Sequence, residues 1–441
     1  MNKFATIIAS VAALAATGCT SYEIDMPENP DAPVVGNEVS KNIIYQANPR
    51  FFGENDCLKA LTSHVTRISD MGCDILWVMP ICEPGELDAI GSPYCIRDFK
   101  AINPQYGSVA DMKALVDAAH AKGMKVILDW IANHTAWDCA WITDHADWYA
   151  KDADGNVAAT ESWPDVAQLD YSNEAVGEAM KDAMKYWVEN TGIDGFRCDY
   201  AEGVPHEFWS DAIADFRAVN PDFIMLAETS IDDFYNDGFD MIYDWECAKN
   251  VAAAFVKGKT SEAVKKANDA LAKVPAGKSL LRFAFNHDTA ASNDVAAMYR
   301  SYDAVPAAYV VTALLNGTPM IYSSMDVEGL SGQLSFFDYN PLTFSDALTA
   351  EYKAINSAFH ASAEVRRGEL QDYSNSSVIS FTRSIPGHKL LVAVNVTGEA
   401  QSVKTPIALA GASMTNLIDG SAESVPAAIE LEGYGYKILM N

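Results

Sequence analysis

The chain has 441 residues, 49% of them apolar, and carries 31 Lys and Arg against 60 Asp and Glu, a formal net charge of −29. This length and apolar content allow a large folded core and exclude a mainly disordered chain. The negative charge excludes nucleic acid as an expected partner, because a phosphate backbone would be repelled.

The first residues are typical of a targeting segment. Lys3 supplies a positive start, residues 7–16 an apolar run, and Ala16-Thr17-Gly18 small residues before Cys19. Residues 1–18 therefore resemble a bacterial lipoprotein signal peptide, with Cys19 as the site of a lipid anchor; an ordinary secretory signal is the alternative. We expect a protein of the bacterial cell envelope, anchored by lipid at the outer membrane.

A polar tether with three prolines, predicted over residues 19–40, follows Cys19. No later run is long and apolar enough to span a bilayer. The remaining cysteines are odd in number and lack CxxC spacing, which argues against a zinc site or a disulfide scaffold. We expect most of them to be buried thiols, with a Cys82–Cys95 bridge as the less favoured alternative.

Apolar runs that read as buried strands then alternate with helical patterns. The predicted strands are 42–46, 74–80, 125–130, 193–198, 223–227, 239–243, 280–285 and 318–322. The predicted helices are 58–71, 109–122, 173–190, 206–219, 302–315 and 348–361, with one or two helices over 247–273. Eight strand and helix repeats predict the α/β class and a (β/α)8 TIM-type barrel over residues 41–132 and 172–363.

The alternation is interrupted over residues 133–171, which we interpret as a short inserted domain B after the third strand. Four of the nine tryptophans of the chain fall here: Trp137, Trp141, Trp148 and Trp163. They could present aromatic faces to a ligand or form a small satellite core, and the sequence does not decide between these two roles.

The pattern changes again over residues 364–441, where short β-type runs are separated by Gly and Pro. These runs are 378–383, 390–396, 429–431 and 436–439. They predict a C-terminal antiparallel β-sandwich that packs against the barrel.

Three of the predicted barrel strands end on, or just before, a carboxylate: Asp199, Glu228 and Asp288. The carboxyl ends of parallel strands lie on one face of a barrel, so these side chains should converge in one cleft. Each could instead be the N-cap of the helix that follows, but that interpretation does not account for all three together.

Two carboxyl groups that face each other across a sugar can break a glycosidic bond. Asp199 is the candidate nucleophile, because Arg197, on the same face of its strand, should keep it ionised. Glu228 follows an apolar run that should raise its pKa and keep it protonated as the acid. Asp288 would bind substrate hydroxyls and help to distort the ring.

At these residues the chain resembles the α-amylase family of glycoside hydrolases. Asp129-Trp130-Ile131-Ala132-Asn133-His134 is similar to the family's first signature, and Gly195-Phe196-Arg197-Cys198-Asp199 to the second. Glu228 matches the third and Phe285-Asn286-His287-Asp288 the fourth. The resemblance implies Asp199 as nucleophile, Glu228 as acid and base, and Asp288 as transition-state stabiliser.

The same resemblance implies several supporting residues. Tyr94, in a loop similar to that after the family's second strand, would stack on the sugar being cleaved. His134 and His287 would donate hydrogen bonds to sugar hydroxyls. Arg197 would complete the substrate-binding set as the partner of the nucleophile, and Asp129 would support it from behind.

The family's second signature often continues into Lys-His, which contact substrate and a structural calcium, whereas this chain continues as Tyr200-Ala201-Glu202-Gly203. Asn133 and Asp165 remain as weak candidates for a calcium site. We expect no required cofactor.

The resemblance implies a retaining enzyme that hydrolyses α-1,4-glucosidic bonds of starch or maltooligosaccharides. Two alternatives stay open: an α-glucan transglycosylase, and a starch-binding protein on an inactive barrel. The expected partners are the α-glucan substrate and other envelope proteins of glycan uptake.

Overall fold

A computed structural model describes residues 39–330 and 332–441. The predicted signal peptide, the anchor at Cys19 and the tether up to residue 38 lie outside the described residues, and their assignment stays a prediction. In the described part, no helix is both long enough and apolar enough to cross a membrane.

Within the described residues, eight parallel strands close into a barrel in which each strand pairs with its neighbours in the chain. They are Ile44–Ala47, Ile75–Val78, Lys125–Ile131, Gly195–Asp199, Ile224–Ala227, Met241–Tyr243, Ser279–Phe283 and Thr318–Tyr322. The first and last strands pair through Ile44 and Met320, which closes the cylinder. The predicted TIM-type barrel is confirmed.

Alternation along each strand separates the barrel interior from the layer between strands and helices. In the fourth strand, Phe196 and Cys198 belong to the large core beneath the helices. Arg197 and Asp199 face the interior instead, above a smaller apolar core that contains Ile127 and Leu226. Arg197 and Asp199 can therefore lie inside the barrel, because the apolar side chains of the same strand pack against the helices instead.

The principal barrel helices are Cys57–Asp70, Val109–His120, Glu174–Thr191, His206–Val219, Trp245–Lys257, Thr260–Leu271, Val305–Leu314 and Asp346–Ala361. The predicted run over 247–273 is two helices, because Gly258 adopts a φ of +65° and ends the first of them. Two short helices that the sequence does not predict, His287–Ser292 and Val295–Tyr299, follow the seventh strand.

The insertion after the third strand contains an antiparallel pair, His134–Ala136 with Val166–Gln168, and a short helix, Ala140–Asp144. Its tryptophans divide between the two predicted roles. Trp141 stacks on Phe99 and packs against Trp148, as a satellite core would. Trp163 is 40% exposed and lines a pocket that also contains Asp199 and Glu228.

Residues 364–441, all of them described, hold a six-stranded antiparallel sheet and a two-stranded ribbon. Their strands are Glu369–Asp372, Val378–Ile385, His388–Asn395, Gln401–Lys404, Ser413–Asn416, Ala422–Ser424, Ala428–Leu431 and Tyr436–Met440. Leu390 and Val392 join the core of the barrel, whereas Leu391 and Ala393 pack beneath the ribbon. The six-stranded sheet and the two-stranded ribbon form the two unequal layers of a sandwich. The sequence analysis does not predict the short polar strands Glu369–Asp372, Gln401–Lys404, Ser413–Asn416 and Ala422–Ser424.

The seven cysteines that follow Cys19, all in the described part of the chain, are buried free thiols. The predicted buried thiols are confirmed, and the alternative of a bridge between Cys82 and Cys95 is wrong. Cys82 instead donates to the carbonyl of Phe99, and Cys95 to that of Asp165.

Candidate active site

One pocket at the carboxyl ends of the barrel strands contains the three predicted carboxylates. Asp199 ends the fourth strand, Glu228 directly follows the fifth, and Asp288 lies in the first turn of the short helix after the seventh. The same pocket is lined by Tyr94, His134 and His287. Convergence follows from the barrel, because parallel strands deliver their carboxyl ends to one face.

Arg197 lies beneath this pocket and organises its carboxylates. Its Nη1 donates to Asp199 Oδ1 at 2.8 Å and to Asp129 Oδ1 at 2.6 Å, while its Nε donates to the hydroxyl of Tyr243 at 3.1 Å. Its Nη2 lies 2.9 Å from Glu228 Oε2, an ion contact that lacks hydrogen-bond geometry. Arg197 has no exposed side-chain surface, so it can affect a substrate only through these partners.

A single guanidinium thus contacts three carboxylates within the described part of the chain. Burial is the largest single influence and acts to lower the pKa of Arg197, but Asp129, Glu228 and the two nearby tyrosines together outweigh it and hold the pKa well above its ordinary value. Arg197 therefore stays charged, and the cluster retains a net negative charge when all its carboxyls are ionised.

The two carboxyls closest to the pocket both have raised pKa values. Burial raises the pKa of Glu228 to about 7, with Arg197 acting in the opposite direction. Burial also raises the pKa of Asp199 to about 7, although Arg197 lowers it and the sequence predicts that Arg197 would keep Asp199 ionised. The sequence analysis places Asp129 behind this pair but does not anticipate that its carboxylate competes with Asp199 for the same guanidinium.

Asp129 supports this arrangement from inside the barrel. Its Oδ2 accepts hydrogen bonds from Trp77 Nε1 and from the hydroxyl of Tyr94, each at 3.1 Å. Burial raises the pKa of Asp129 to about 6, while Arg197 lowers it. Asp129 does not line the pocket, so its contacts position Arg197 and Tyr94.

His287 and Tyr94 form one wall of the pocket. Gln46 Nε2 lies 2.7 Å from His287 Nδ1, and His287 Nε2 lies 2.7 Å from the hydroxyl of Tyr94. With the amide nitrogen of Gln46 directed at the ring, Nδ1 accepts, and Nε2 then carries the proton and donates to Tyr94. Tyr94 in turn donates to Asp129. Burial lowers the pKa of His287 to about 4, so the ring is neutral at neutral pH.

The position of Asp288 is set by a local cap. Asn286 and Thr289 form a capping box at the start of the helix His287–Ser292, and Asn286 Nδ2 donates to Asp288 Oδ2 at 3.2 Å. His287 Nε2 lies 3.4 Å from Asp288 Oδ1. A carboxylate in the first turn of a helix is favoured by the helix dipole.

His134 also lines the pocket and is held by its neighbours. Its Nε2 lies 3.3 Å from the carbonyl oxygen of Tyr94, and its Nδ1 lies 3.3 Å from Asn133 Nδ2. Burial lowers the pKa of His134 to about 4, so it is also neutral. Its ring packs at 5.9 Å from Trp163.

Several further lining residues, among them Ile90, Tyr200, Phe336 and Phe337, are not predicted as site residues by the sequence analysis. Phe336 packs edge-on against His287 at 5.0 Å and against Tyr94 at 5.7 Å. The segment that carries Phe336 has neither strand nor helix periodicity. Phe336 and Phe337 are adjacent aromatic residues in a loop after the last barrel strand, and this is the one signal that could have indicated a site there.

Of the two predicted calcium candidates, Asp165 lines the pocket, and the side chain of Asn133 is engaged by neighbouring groups. The side-chain oxygen of Asn133 already accepts a hydrogen bond from Gln168 Nε2 at 3.0 Å. A Cβ at Gly203 would lie 2.5 Å from the same oxygen, so the turn after Asp199 also closes on it. Across the described ranges, no group of three His, Cys, Asp or Glu side chains is arranged to hold a metal.

The pocket therefore combines two carboxyls that titrate near neutral pH with two neutral imidazoles and aromatic walls. Such a site can donate a proton from one carboxyl while the other acts as a nucleophile. The aromatic rings suit the apolar faces of a pyranose, and the polar groups suit its hydroxyls.

Comparison with known proteins identifies the same type of domain. The family model for the α-amylase catalytic domain matches residues 45–329. The chain is 27% identical over 414 residues to alpha-amylase MalA of Haloarcula japonica, covering 88% of this chain and 59% of that protein. It is 31% identical over 232 residues to an alpha-1,4-glucan:maltose-1-phosphate maltosyltransferase of Burkholderia pseudomallei, covering 45% of this chain and 20% of that protein.

Solved structures agree at the level of the fold. The structure of an alpha-amylase from Lactobacillus plantarum superposes with a TM-score of 0.80 at 27% identity, covering 91% of this chain and 99% of that chain. That agreement extends over the barrel and the C-terminal sheet together.

Proposed function

The chain belongs to the α-amylase family of glycoside hydrolases, and from this membership we propose that it hydrolyses α-1,4-glucosidic bonds of starch or maltooligosaccharides with retention at the anomeric carbon. One observation carries the proposal: a single buried guanidinium, that of Arg197, contacts both Asp199 and Glu228 at the base of the pocket that Asp288 also lines.

In the proposed first step, Asp199 attacks the anomeric carbon while Glu228 protonates the glycosidic oxygen. The bond to the leaving sugar breaks, and a covalent glycosyl-Asp199 ester forms. Arg197 stabilises the ionised form of Asp199 before the attack. The raised pKa of Glu228, about 7, allows it to hold the required proton near neutral pH.

In the proposed second step, the ionised Glu228 removes a proton from water, which attacks the anomeric carbon and releases Asp199. Asp288 would bind hydroxyls of the distorted ring and stabilise the positive charge that develops in both steps. Tyr94 would stack on this sugar, and the neutral imidazoles of His134 and His287 would bind its hydroxyls. Retention predicts about 5 to 5.5 Å between the carboxyls of Asp199 and Glu228.

Transfer to a second sugar is the alternative outcome of the second step. Trp163 and Tyr200 pack edge to face at 5.1 Å on the side of the pocket next to Glu228, whose Oε2 accepts the Tyr200 N–H at 2.8 Å. An aromatic surface beside the proton donor could hold either the leaving sugar or an acceptor sugar. The similarity to a maltosyltransferase supports testing transfer directly.

The test is incubation of the purified soluble protein with amylose, pullulan and maltoheptaose, with products resolved over time. Shorter maltooligosaccharides released first as the α-anomer support retaining hydrolysis. Products longer than maltoheptaose at high substrate concentration indicate transfer, and initial release of the β-anomer contradicts the proposed mechanism.

The matched variant is Asp199→Asn, which preserves the shape of the side chain. We expect its turnover to fall by at least about 10⁴-fold while amylose binding is retained. Turnover equal to that of the unchanged protein would remove Asp199 as the nucleophile.

We further propose that Cys19 is lipidated and places the enzyme on the bacterial outer membrane, where polymer is cut near the proteins that import the fragments. The order of a positive start, an apolar run and small residues before Cys19 supports this placement. Metabolic labelling with a palmitate analogue should mark the protein and not Cys19→Ala. Processing that is insensitive to globomycin would contradict it.

A further inference from the structure

Among the described residues, the side-chain amide of Gln168 has an unusual set of partners. Its Nε2 donates to the carbonyl oxygen of Asn133 at 3.0 Å, to Asn133 Oδ1 at 3.0 Å and to the carbonyl oxygen of Leu169 at 3.1 Å. One nitrogen with two hydrogens thus faces three oxygens, so at least one hydrogen is shared.

The orientation of this amide is determined by its partners. The reverse orientation would direct the oxygen of Gln168 at three other oxygens, none of which can donate. In the observed orientation Oε1 also receives the Asn133 amide N–H at 3.4 Å. The three converging oxygens therefore require a hydrogen-bond donor or a cation between them.

Backbone carbonyl and side-chain amide oxygens are also the ligands that Ca²⁺ takes in proteins, at about 2.3–2.6 Å. The nitrogen-to-oxygen distances around Gln168 are those of hydrogen bonds and are too long for that ion. The three oxygens thus surround the amide nitrogen of Gln168, which donates hydrogen bonds at a position where a cation could otherwise bind them.

We propose that the amide nitrogen of Gln168 takes the place of a structural cation, so that the inserted segment is fastened to the barrel without metal. A carboxylate in place of the Gln168 amide should instead create a need for a bound cation. It would present oxygen to Asn133 and Leu169, and only a bound cation such as Ca²⁺ would make that arrangement stable.

The fastening connects three parts of the site. Gln168 pairs in register with His134 across the antiparallel strands of the insertion. Asn133 follows the third barrel strand, and its amide oxygen is approached by Gly203 in the turn after Asp199. The amide of Gln168 therefore orients Asn133, whose side chain in turn lies against the loop that follows the proposed nucleophile.

The first measurement is thermal unfolding of the unchanged protein with EDTA and with millimolar CaCl₂. We expect the two Tm values to agree within about 1 °C, because no cation is needed. The same pair of measurements on Gln168→Glu should give a lower Tm in EDTA and a rise of at least about 2 °C with calcium. Calorimetric titration with calcium should show binding to Gln168→Glu only.

Two control variants separate this proposal from a general charge effect. Gln105→Glu makes the same change at an exposed position and should show no response to calcium. Gln168→Met removes the donor while keeping the length of the side chain. It should lower the Tm in a way that calcium does not restore, because three oxygens lose their hydrogen-bond partner.

A Tm of the unchanged protein that rises with calcium overturns the proposal, as does a folded Gln168→Glu that does not bind calcium. Should Gln168→Glu fail to fold, the unchanged protein and Gln168→Met decide between the outcomes. A Gln168→Met variant as stable as the unchanged protein then overturns the proposal. These readouts do not depend on which glycan is the substrate.

Discussion

The guanidinium of Arg197 donates to the carboxylate of Asp199 over 2.8 Å, and both side chains leave the same face of one barrel strand. This pairing is a direct consequence of the two-residue period of a strand. Its strength is limited by the other partners of Arg197, since Asp129 and Glu228 contact the same group.

Arg197→Lys should break some of these contacts, because an ammonium cannot bridge several carboxylates as a planar guanidinium does. We expect the acid limb of the pH profile of kcat/KM to move to higher pH, since Asp199 loses part of the charge that favours its ionised form. Arg217→Lys, at the Asp240 pair near the opposite end of the barrel, is the control. An unchanged acid limb in Arg197→Lys would show that Arg197 does not set the ionisation of Asp199.

The pH dependence of the reaction follows from two raised pKa values. Burial raises those of Asp199 and Glu228 to about 7, and the mechanism needs Asp199 ionised and Glu228 protonated. Activity should fall below about pH 7 as Asp199 gains a proton and above about pH 7 as Glu228 loses one. The two pKa values of the resulting bell-shaped pH profile describe Asp199 and Glu228 as a pair, because the two carboxyls interact. A kcat/KM that is constant between pH 5 and 9, roughly two units on each side, would contradict this ionisation scheme.

Glu228→Gln should reveal proton donation through its dependence on the leaving group. With maltooligosaccharides, kcat should fall by about 10²–10⁴-fold, because the leaving oxygen is no longer protonated. With an aryl glycoside whose leaving group needs no proton, the loss in the first step should be much smaller. Equal losses with both substrates would mean that Glu228 acts in another way.

Phe336→Ala tests the wall that the sequence analysis missed. Phe336 packs against both His287 and Tyr94, so its loss should loosen the surface on which a sugar stacks. We expect KM to rise by about 5- to 20-fold with a smaller change in kcat. Phe344→Ala, which removes a ring stacked on Phe52 at 5.1 Å and outside the pocket, should leave KM unchanged.

Gly195→Ala tests the packing of the strand that carries Arg197 and Asp199. An added Cβ would lie 2.0 Å from the carbonyl oxygen of Ile224 on the neighbouring strand. The free energy of unfolding should fall by about 1–3 kcal/mol or more. Gly177→Ala, in the helix Glu174–Thr191 with a nearest contact at 3.5 Å, should instead raise it by about 0.5–1 kcal/mol. Denaturant unfolding of the two variants measures the difference, and equal effects would contradict it.

Much of the fold could be predicted because it depends on local patterns. The eight barrel strands follow from short continuous apolar runs, and their principal helices follow from an apolar period of 3.6 that indicates which side of the helix is buried. The short strands Gln401–Lys404 and Ala422–Ser424 could not be predicted in this way, since they are polar and pair only within the finished sandwich.

The sequence by itself determined which acidic residues end the barrel strands and that Arg197 shares a face with Asp199, because side-chain direction repeats along a strand. Only the tertiary structure decided that Asp129 also takes part of that charge, that Phe336 completes the wall and that Gln168 faces three oxygens. Each of these contacts joins segments far apart in the chain. A periodic pattern specifies the direction of a side chain, whereas its partners depend on how the closed barrel and its loops bring distant segments together.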